Sequence, residues 1–290
     1  MIPKGFEYQA PSSLEQALAL LSRHGDEAKI LSGGHSLIPL MKLRFAEPSV
    51  IVDINGIPGL DYLKEDKGVL KIGALAREAD LEASAAIKAK FPLILDAAKS
   101  IADPQVRNRA TVCGNLAHGD PANDHPAVML ALGGQLVAQT QGKERVIEVK
   151  DFFLGTLSTA LKPDEILKEV RVPVPPAHSG GAYLKLERRV GDFAIAAVAA
   201  QLTLNGNKIV AAGIGLTNAG PVPVKATKAE AFLAGKDATD ANFAEAGRLA
   251  ESMADPASDT RAPADYKKAM IRELTIRALR KAAERAKGGR

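Results

Sequence analysis

Apolar residues recur at helical spacing near the start of the chain. Leu14, Ala17, Leu18 and Leu21 share one face, Ser12-x-x-Glu15 precedes them as a capping box, and Gly25 closes the segment. The pattern then shortens. Ala28 to Leu31 is an apolar run of strand character, a second apolar run follows at Leu37 to Met41, and Val50 to Ile54 reads as a buried strand. These make a small α/β lobe over residues 1–55.

A second α/β lobe is expected over residues 56–176. Val69 to Gly73 reads as a strand, Arg77 to Lys90 as an amphipathic helix and Pro92 to Ile101 as a second helix. Ala102 to Pro126 is polar and broken by glycine and proline, the signature of a long functional loop. Ala127 to Leu132 reads as a short helix. Leu136 to Ala138, Val146 to Val149 and Ile166 to Val172 read as strands.

Pro173 to Gly181 is the clearest linker. Beyond it, over residues 177–290, three strands are predicted at Ala182–Arg189, Ile195–Leu204 and Lys208–Thr217, with Asn205-Gly206 as a hairpin turn. Helices follow at Lys225–Leu233, Asp240–Met253 and Pro263–Ala286, the last with Tyr266, Met270, Leu274 and Ala278 on one face. Strands followed by helices indicate an α+β unit, here a three-stranded antiparallel sheet with helices.

Composition narrows the function classes. Aromatic residues make up 4% and Trp is absent, which disfavours stacking on single-stranded nucleic acid. Cys113 is the one cysteine, so this chain alone builds neither a disulfide framework nor a cysteine-held iron–sulfur cluster. Residues 261–290 carry ten Lys/Arg against three Asp/Glu, a net +7 within a total of +4, so the remainder is net −3. The basic character belongs to one C-terminal helix, and nucleic acid is not an expected partner. That helix is either a solvated face or a docking surface for a partner or an anionic membrane. No signal-peptide core or spanning run is visible, and a cytoplasmic location is expected.

Two stretches carry candidate chemistry. Ser32-Gly33-Gly34-His35-Ser36 follows a strand; paired glycines admit positive φ and close ligand approach, and successive N–H groups can converge on an anion. Taken alone it fits a ligand-free tight turn as well as a phosphate cradle. Thr111, Gly114 and Asn115 place a hydroxyl, a bare backbone and an amide within five residues. Arg107 and Arg109 add charge there or sit on a solvated loop. Cys113 reads as a small buried residue or a reactive thiol. His118, Asp120, Asp124 and His125 invite a metal reading, but Pro121 and Pro126 interrupt ligand spacing, and no metal site is assigned. Rossmann, P-loop and nucleophile-elbow motifs are absent, and no acid/base or nucleophile set is visible, so no catalytic residue is assigned. A binder of a redox cofactor needs none.

Together, Ser32–Ser36 and Thr111-x-x-Gly114-Asn115 resemble the FAD-binding medium subunit of molybdenum hydroxylases, most closely its carbon monoxide dehydrogenase branch. The likeness also covers Ile2-Pro-x-x-Phe6-x-Tyr8, Ala102-Asp-Pro-Gln, Gly119 to Asp124, Tyr183-x-Lys185-Leu-x-Arg188, Gly191-Asp-Phe193 and Gly215 to Asn218. It implies an N-terminal two-lobed FAD-binding domain, with non-covalent FAD between the lobes and the C-terminal domain. The residues implied to hold the cofactor are Lys29, Leu31, Ser32, Gly33, Gly34, His35, Ser36, Leu37, Ile101, Ala102, Thr111, Cys113, Gly114, Asn115, Ala117, Asp124, Leu167 and Lys185, with Phe193 near the isoalloxazine. It also implies an iron–sulfur small subunit with two [2Fe–2S] clusters, a large subunit with a molybdenum–pterin site, a dimer of heterotrimers, and a quinone acceptor at the inner face of the membrane. Other molybdenum hydroxylases, acting on aldehydes or N-heterocycles, share these motifs. Gly33-Gly34-His35 is also similar to the tether of covalent flavin oxidases, and a non-enzymatic flavin-binding or assembly module is a further alternative. Cys113 stands where the family has glycine, which implies strain if that position needs positive φ. Phe193 stands where a tyrosine is expected in the carbon monoxide branch.

Overall fold

A computed structural model describes residues 2–288. The first layer is a three-stranded sheet of β1 (Glu7–Gln9), β2 (Ala28–Leu31) and β3 (Val50–Asp53), parallel and ordered β1-β3-β2. Helix α1 (Leu14–His24) buries Ala17, Leu18 and Leu21 against it. Its N-cap is Ser13, whose hydroxyl accepts from the Gln16 N–H, so the cap lies one residue beyond the expected Ser12. The Ser12 N–H instead donates to the Gln16 side chain. The glycine loop leaves β2 and enters α2 (Leu37–Leu43).

The second layer is a five-stranded sheet, ordered β4-β5-β10-β6-β7 and antiparallel throughout. Its strands are β4 (Leu63–Asp66), β5 (Val69–Gly73), β6 (Gln135–Thr140), β7 (Lys143–Glu148) and β10 (Ile166–Pro173); β8 (Phe153–Gly155) and β9 (Ser158–Thr159) form a separate ribbon. The expected single helix over 77–90 is two, α3 (Glu78–Ala83) and α4 (Ala85–Lys90). Ser84 ends one in an extended conformation and caps the other, its hydroxyl accepting from Ile87. Helix α5 spans Pro92–Ser100. The expected long loop is largely helical, containing α6 (Pro104–Arg107), α7 (Val112–His118) and the first turn of α8 (Asp124–Leu132). Pro126 is tolerated because a first-turn N–H has no intrahelical acceptor to lose. Every residue of α8 is buried, and an apolar surround on all sides is what a central helix requires.

The third layer is β11 (Ser179–Leu186), β12 (Ala196–Asn205) and β13 (Lys208–Thr217), long and antiparallel, with a two-residue β14 (Val224–Lys225) at the edge. The extended segment before it is shorter than expected, because Gly180 and Gly181 already belong to β11. A Cβ on Gly180 would overlap the Ala282 carbonyl, so glycine there lets strand and helix touch. Helices α9 (Thr227–Leu233), α10 (Asp240–Met253) and α11 (Ala264–Ala286) cover this sheet. The buried face of α11 is Lys267, Ile271, Thr275, Ala278, Leu279 and Ala282; of the predicted stripe Ala278 is buried, Met270 and Leu274 lie half-buried at its edge and Tyr266 is exposed. Lys267 is buried because its ammonium donates to Asp259 at 2.7 Å and to the Ala257 carbonyl at 2.9 Å. Read as an exposed charge, that lysine displaces the apparent stripe.

Candidate functional site

The two glycine-bearing stretches come from different parts of the fold, one after β2 and the other between α6 and α7, and meet. Ser32 Oγ lies 3.2 Å from Thr111 Oγ1 across 79 residues of sequence. Gly33 leans on the backbone of the second stretch, and a Cβ there would stand 2.7 Å from the Arg109 carbonyl oxygen. Gly34 takes φ +81°, the left-handed region that disfavours side chains. Thr111 caps α7 through its hydroxyl, which accepts from the Gly114 N–H at 3.1 Å. A Cβ on Gly114 would crowd Thr111 Oγ1 at 2.6 Å and Ser32 Oγ at 3.1 Å. Both loops pass directly into short helices whose first N–H groups have no intrahelical acceptor. Asn115 Oδ1 is buried with no donor among the described residues. It is an unpartnered acceptor suited to a ligand hydroxyl, and the bare backbone N–H groups beside it suit a phosphate.

A second cluster lies at the N-terminus of α8. Asn123 Nδ2 donates to the Asn115 carbonyl at 2.7 Å and joins the two clusters. Asp124 accepts from Tyr183 Oη at 2.6 Å and from Lys185 Nζ at 3.2 Å; Lys185 also donates to the Ser100 carbonyl at 3.1 Å. Tyr183 and Lys185 reach the same carboxylate because alternate residues of β11 share a face. Burial is the largest influence on Asp124 and pushes its carboxyl up, against the opposing pull of Lys185 and Tyr183. Burial and the Asp124 charge raise the Tyr183 phenol well above its usual range.

Ala102 holds φ +44°, unusual for a residue with a side chain. Arg107 Nη1 donates to the Ile101 and Ala102 carbonyls at 3.0 and 3.2 Å and braces that turn. Gly191 packs against the same turn, where a Cβ would meet the Ala102 oxygen at 2.9 Å. The loop beyond carries Phe193, 43% exposed, with the Arg261 guanidinium 5.7 Å over its ring.

The structure thus gathers Ser32, Gly33, Gly34, Thr111, Gly114 and Asn115 in one place. Lys185 ties Asp124 at the start of α8 to the Ser100 carbonyl beside Ile101 and Ala102, and Phe193 stands apart on the loop after Gly191, its ring under Arg261. Leu31, Ser36, Leu37 and Ala117 are half-buried on adjoining backbone, while Lys29 and His35 are exposed. Two residues turn elsewhere. Leu167 is buried in the core at the β10 bulge. Cys113 is helical with its thiol in the core, toward the Ile72 carbonyl, and burial pushes that thiol far up. It is not among the positive-φ residues, so the strain expected from the missing glycine does not arise. His118 faces Asp120, whereas His125 pairs with the buried Glu78 carboxylate at 2.8 Å. Sequence reading missed Asn55 and Arg77, which touch both loops; the Asp53-Ile-Asn55 turn after β3 was the available signal.

The family described as the FAD binding domain in molybdopterin dehydrogenase matches residues 4–175, and the CO dehydrogenase flavoprotein C-terminal domain matches residues 181–282. The carbon monoxide dehydrogenase medium chain of Hydrogenophaga pseudoflava is 44% identical over 279 residues, covering 96% of this chain and 97% of that protein. That of Afipia carboxidovorans is 42% identical over 287 residues, covering 99% and 100%. A solved carbon monoxide dehydrogenase from Hydrogenophaga pseudoflava, which lacks the Mo-pyranopterin moiety of its molybdenum cofactor, superposes with a TM-score of 0.96 at 45% identity, covering 98% of this chain and 99% of that one.

Proposed function

Because the chain belongs to the family of FAD-binding medium subunits of molybdenum hydroxylases, we propose that it is the flavin subunit of a carbon monoxide-oxidising complex. The observation that carries the FAD site is the 3.2 Å approach of Ser32 to Thr111, which fuses two glycine loops beside the open acceptor of Asn115. The Ser32–Ser36 loop and Thr111–Asn115 hold the cofactor's pyrophosphate with backbone N–H groups and hydroxyls. Asp124, Lys185 and Phe193 serve the flavin end, the first two as an oriented carboxylate–ammonium pair. When bound, FAD supplies a redox centre that takes electrons from the [2Fe–2S] clusters of a small subunit, fed by a molybdenum–pterin site on a large subunit, and passes them to an external acceptor such as a quinone. This chain contributes no acid, base or nucleophile to the oxidised substrate; its residues bind and orient the cofactor. The full-length likeness to two carbon monoxide dehydrogenase medium chains favours that substrate.

The test is the absorbance spectrum of the complex isolated with this chain, recorded without oxygen before and after carbon monoxide. Bleaching of the flavin and iron–sulfur bands is expected. A spectrum that ignores carbon monoxide but bleaches with dithionite retains the flavin subunit and transfers the substrate to an aldehyde or an N-heterocycle.

A further inference from the structure

The first cofactor loop follows β2 and the second lies between α6 and α7, so no sheet ladder sets their spacing. Side chains set it instead. Asn55, in the turn after β3, donates through Nδ2 to the Ser32 carbonyl at 2.8 Å. Its Oδ1 accepts from Arg77 Nη2 at 2.6 Å, and Arg77 Nη1 donates to the Arg109 carbonyl at 2.5 Å. One amide and one guanidinium therefore bridge Ser32 of the first loop to Arg109 of the second.

Both members are themselves held. Asp53 Oδ1 accepts from the Asn55 backbone N–H at 2.8 Å and from Nδ2 at 2.6 Å, and Asp53 Oδ2 accepts from Tyr8 Oη at 2.7 Å. Arg77 stands at the N-cap of α3, its backbone N–H on Asp80 and its own residue bridged to Thr111. The next N–H, of Glu78, donates to the Ala110 carbonyl at 3.0 Å. The bridge has a directional consequence. In a planar trans peptide the C=O and the following N–H point in opposite directions. Fixing the Ser32 carbonyl on Asn55 therefore turns the Gly33 N–H to the opposite side. Fixing the Arg109 carbonyl holds the atom against which Gly33 rests.

We propose that Asn55 and Arg77 are positioning residues that lock the two loops into one preformed anion cradle, acting on the cofactor through Ser32, Gly33 and Arg109. This rests on the assignment of FAD to these loops. A lysine at 77 keeps the charge but presents one nitrogen where the guanidinium presents two to separate acceptors. Asn55→Ala removes the donor to Ser32 and the acceptor of Arg77 without adding charge beside Asp53.

The experiment is a fluorescence titration of the flavin-stripped full chain with FAD, and in parallel with riboflavin, which carries no phosphate. The variants are Arg77→Lys, Asn55→Ala and the pair together, with Gly33→Val as control, and the melting temperature of each stripped protein is recorded. The single variants are expected to weaken FAD roughly ten- to a hundredfold, the loss of one or two charge-assisted hydrogen bonds. Riboflavin binding should change less than twofold, the stripped proteins should melt within about 2 °C of the parent, and the double variant should lose less than the product of the singles. FAD affinity within twofold of the parent, an equal loss for riboflavin, or a fall in melting temperature with affinity kept overturns the proposal. If Gly33→Val binds FAD as the parent does, the assignment of FAD to the loops fails instead.

Discussion

At the residue scale, the cradle depends on two neighbouring glycines for different reasons. A side chain at 33 collides with the Arg109 backbone, which Arg77 holds in place, so the loops must part. At 34 the obstacle is the positive φ, and the nearest atom, Ile38 Cδ1 at 2.8 Å, lies at the end of a side chain that can rotate. Gly33→Ala is therefore expected to lose most of its flavin on gel filtration. Gly34→Ala should keep a larger share, at a strain of about 1 kcal/mol; the ratio of flavin to protein absorbance in the eluted peak measures both. Equal retention would mean that the loops tolerate separation. These glycines and the flanking hydroxyls were legible because their chemistry is local. Asn55 and Arg77 were not, because an isolated amide and a guanidinium have no period or motif, and only the fold reveals that they share Ser32 and Arg109 as endpoints. Cys113 and Leu167 show the converse: positions that the family resemblance marks for the cofactor place their side chains in the core.

At the element scale, α11 turns on one buried ammonium. Burial would raise the Asp259 carboxyl, but Lys267 and the N–H groups of Ala262 and Arg261 outweigh it and hold it at about 2, below the usual 3.8. A carboxyl depressed by folding stabilises the native state above its unfolded pKa, and that contribution disappears as pH falls through the folded value. The parent's melting temperature is therefore expected to fall as pH drops from 4 to 2, and Lys267→Met to show a smaller drop over the same interval. Parallel melting curves for the two proteins would remove the pair from the account of acid stability. Lys267→Ala should cost more than the Met variant at neutral pH, about 2 kcal/mol or above, since it adds a cavity to the lost bonds. Leu14–Leu21, Val69–Gly73, Asp240–Met253 and the Asn205-Gly206 hairpin all formed where the pattern placed them, whereas the short strands β1, β4, β8, β9 and β14 carry too few apolar residues to have been read. The reading failed where polar residues are buried, as at Lys267, or where polar and proline residues begin helices, as in residues 103–126.

At the scale of the whole molecule, α8 joins the five-stranded sheet to the C-terminal one. Its N-terminal residue Asp124 meets Lys185 and Tyr183 from β11, and its body lies on β13 with no side chain between. Gly213 and Gly215 make this possible: a Cβ on either would overlap the backbone oxygen of Ala131 or Ala127. Backbone on backbone cannot be relieved by a rotamer change, so a methyl must push the helix and sheet apart. Arg285 reinforces the same union from α11, reaching Asp96 of α5 at 2.6 Å and the Gly181 carbonyl at 2.6 Å. Gly215→Ala is expected to destabilise the protein by about 3 kcal/mol, an overpacked core contact. It should also weaken FAD retention although residue 215 lies outside both loops, because displacing α8 carries Asp124 away from Lys185 and shifts Asn123, which holds Asn115. Ala211→Gly on the same strand, at an exposed position, serves as the control for backbone loosening alone. Thermal melts and flavin content measured on both variants decide the matter. If Gly215→Ala lowers stability while the surviving folded protein keeps its full flavin, the central helix supports the fold without setting the site.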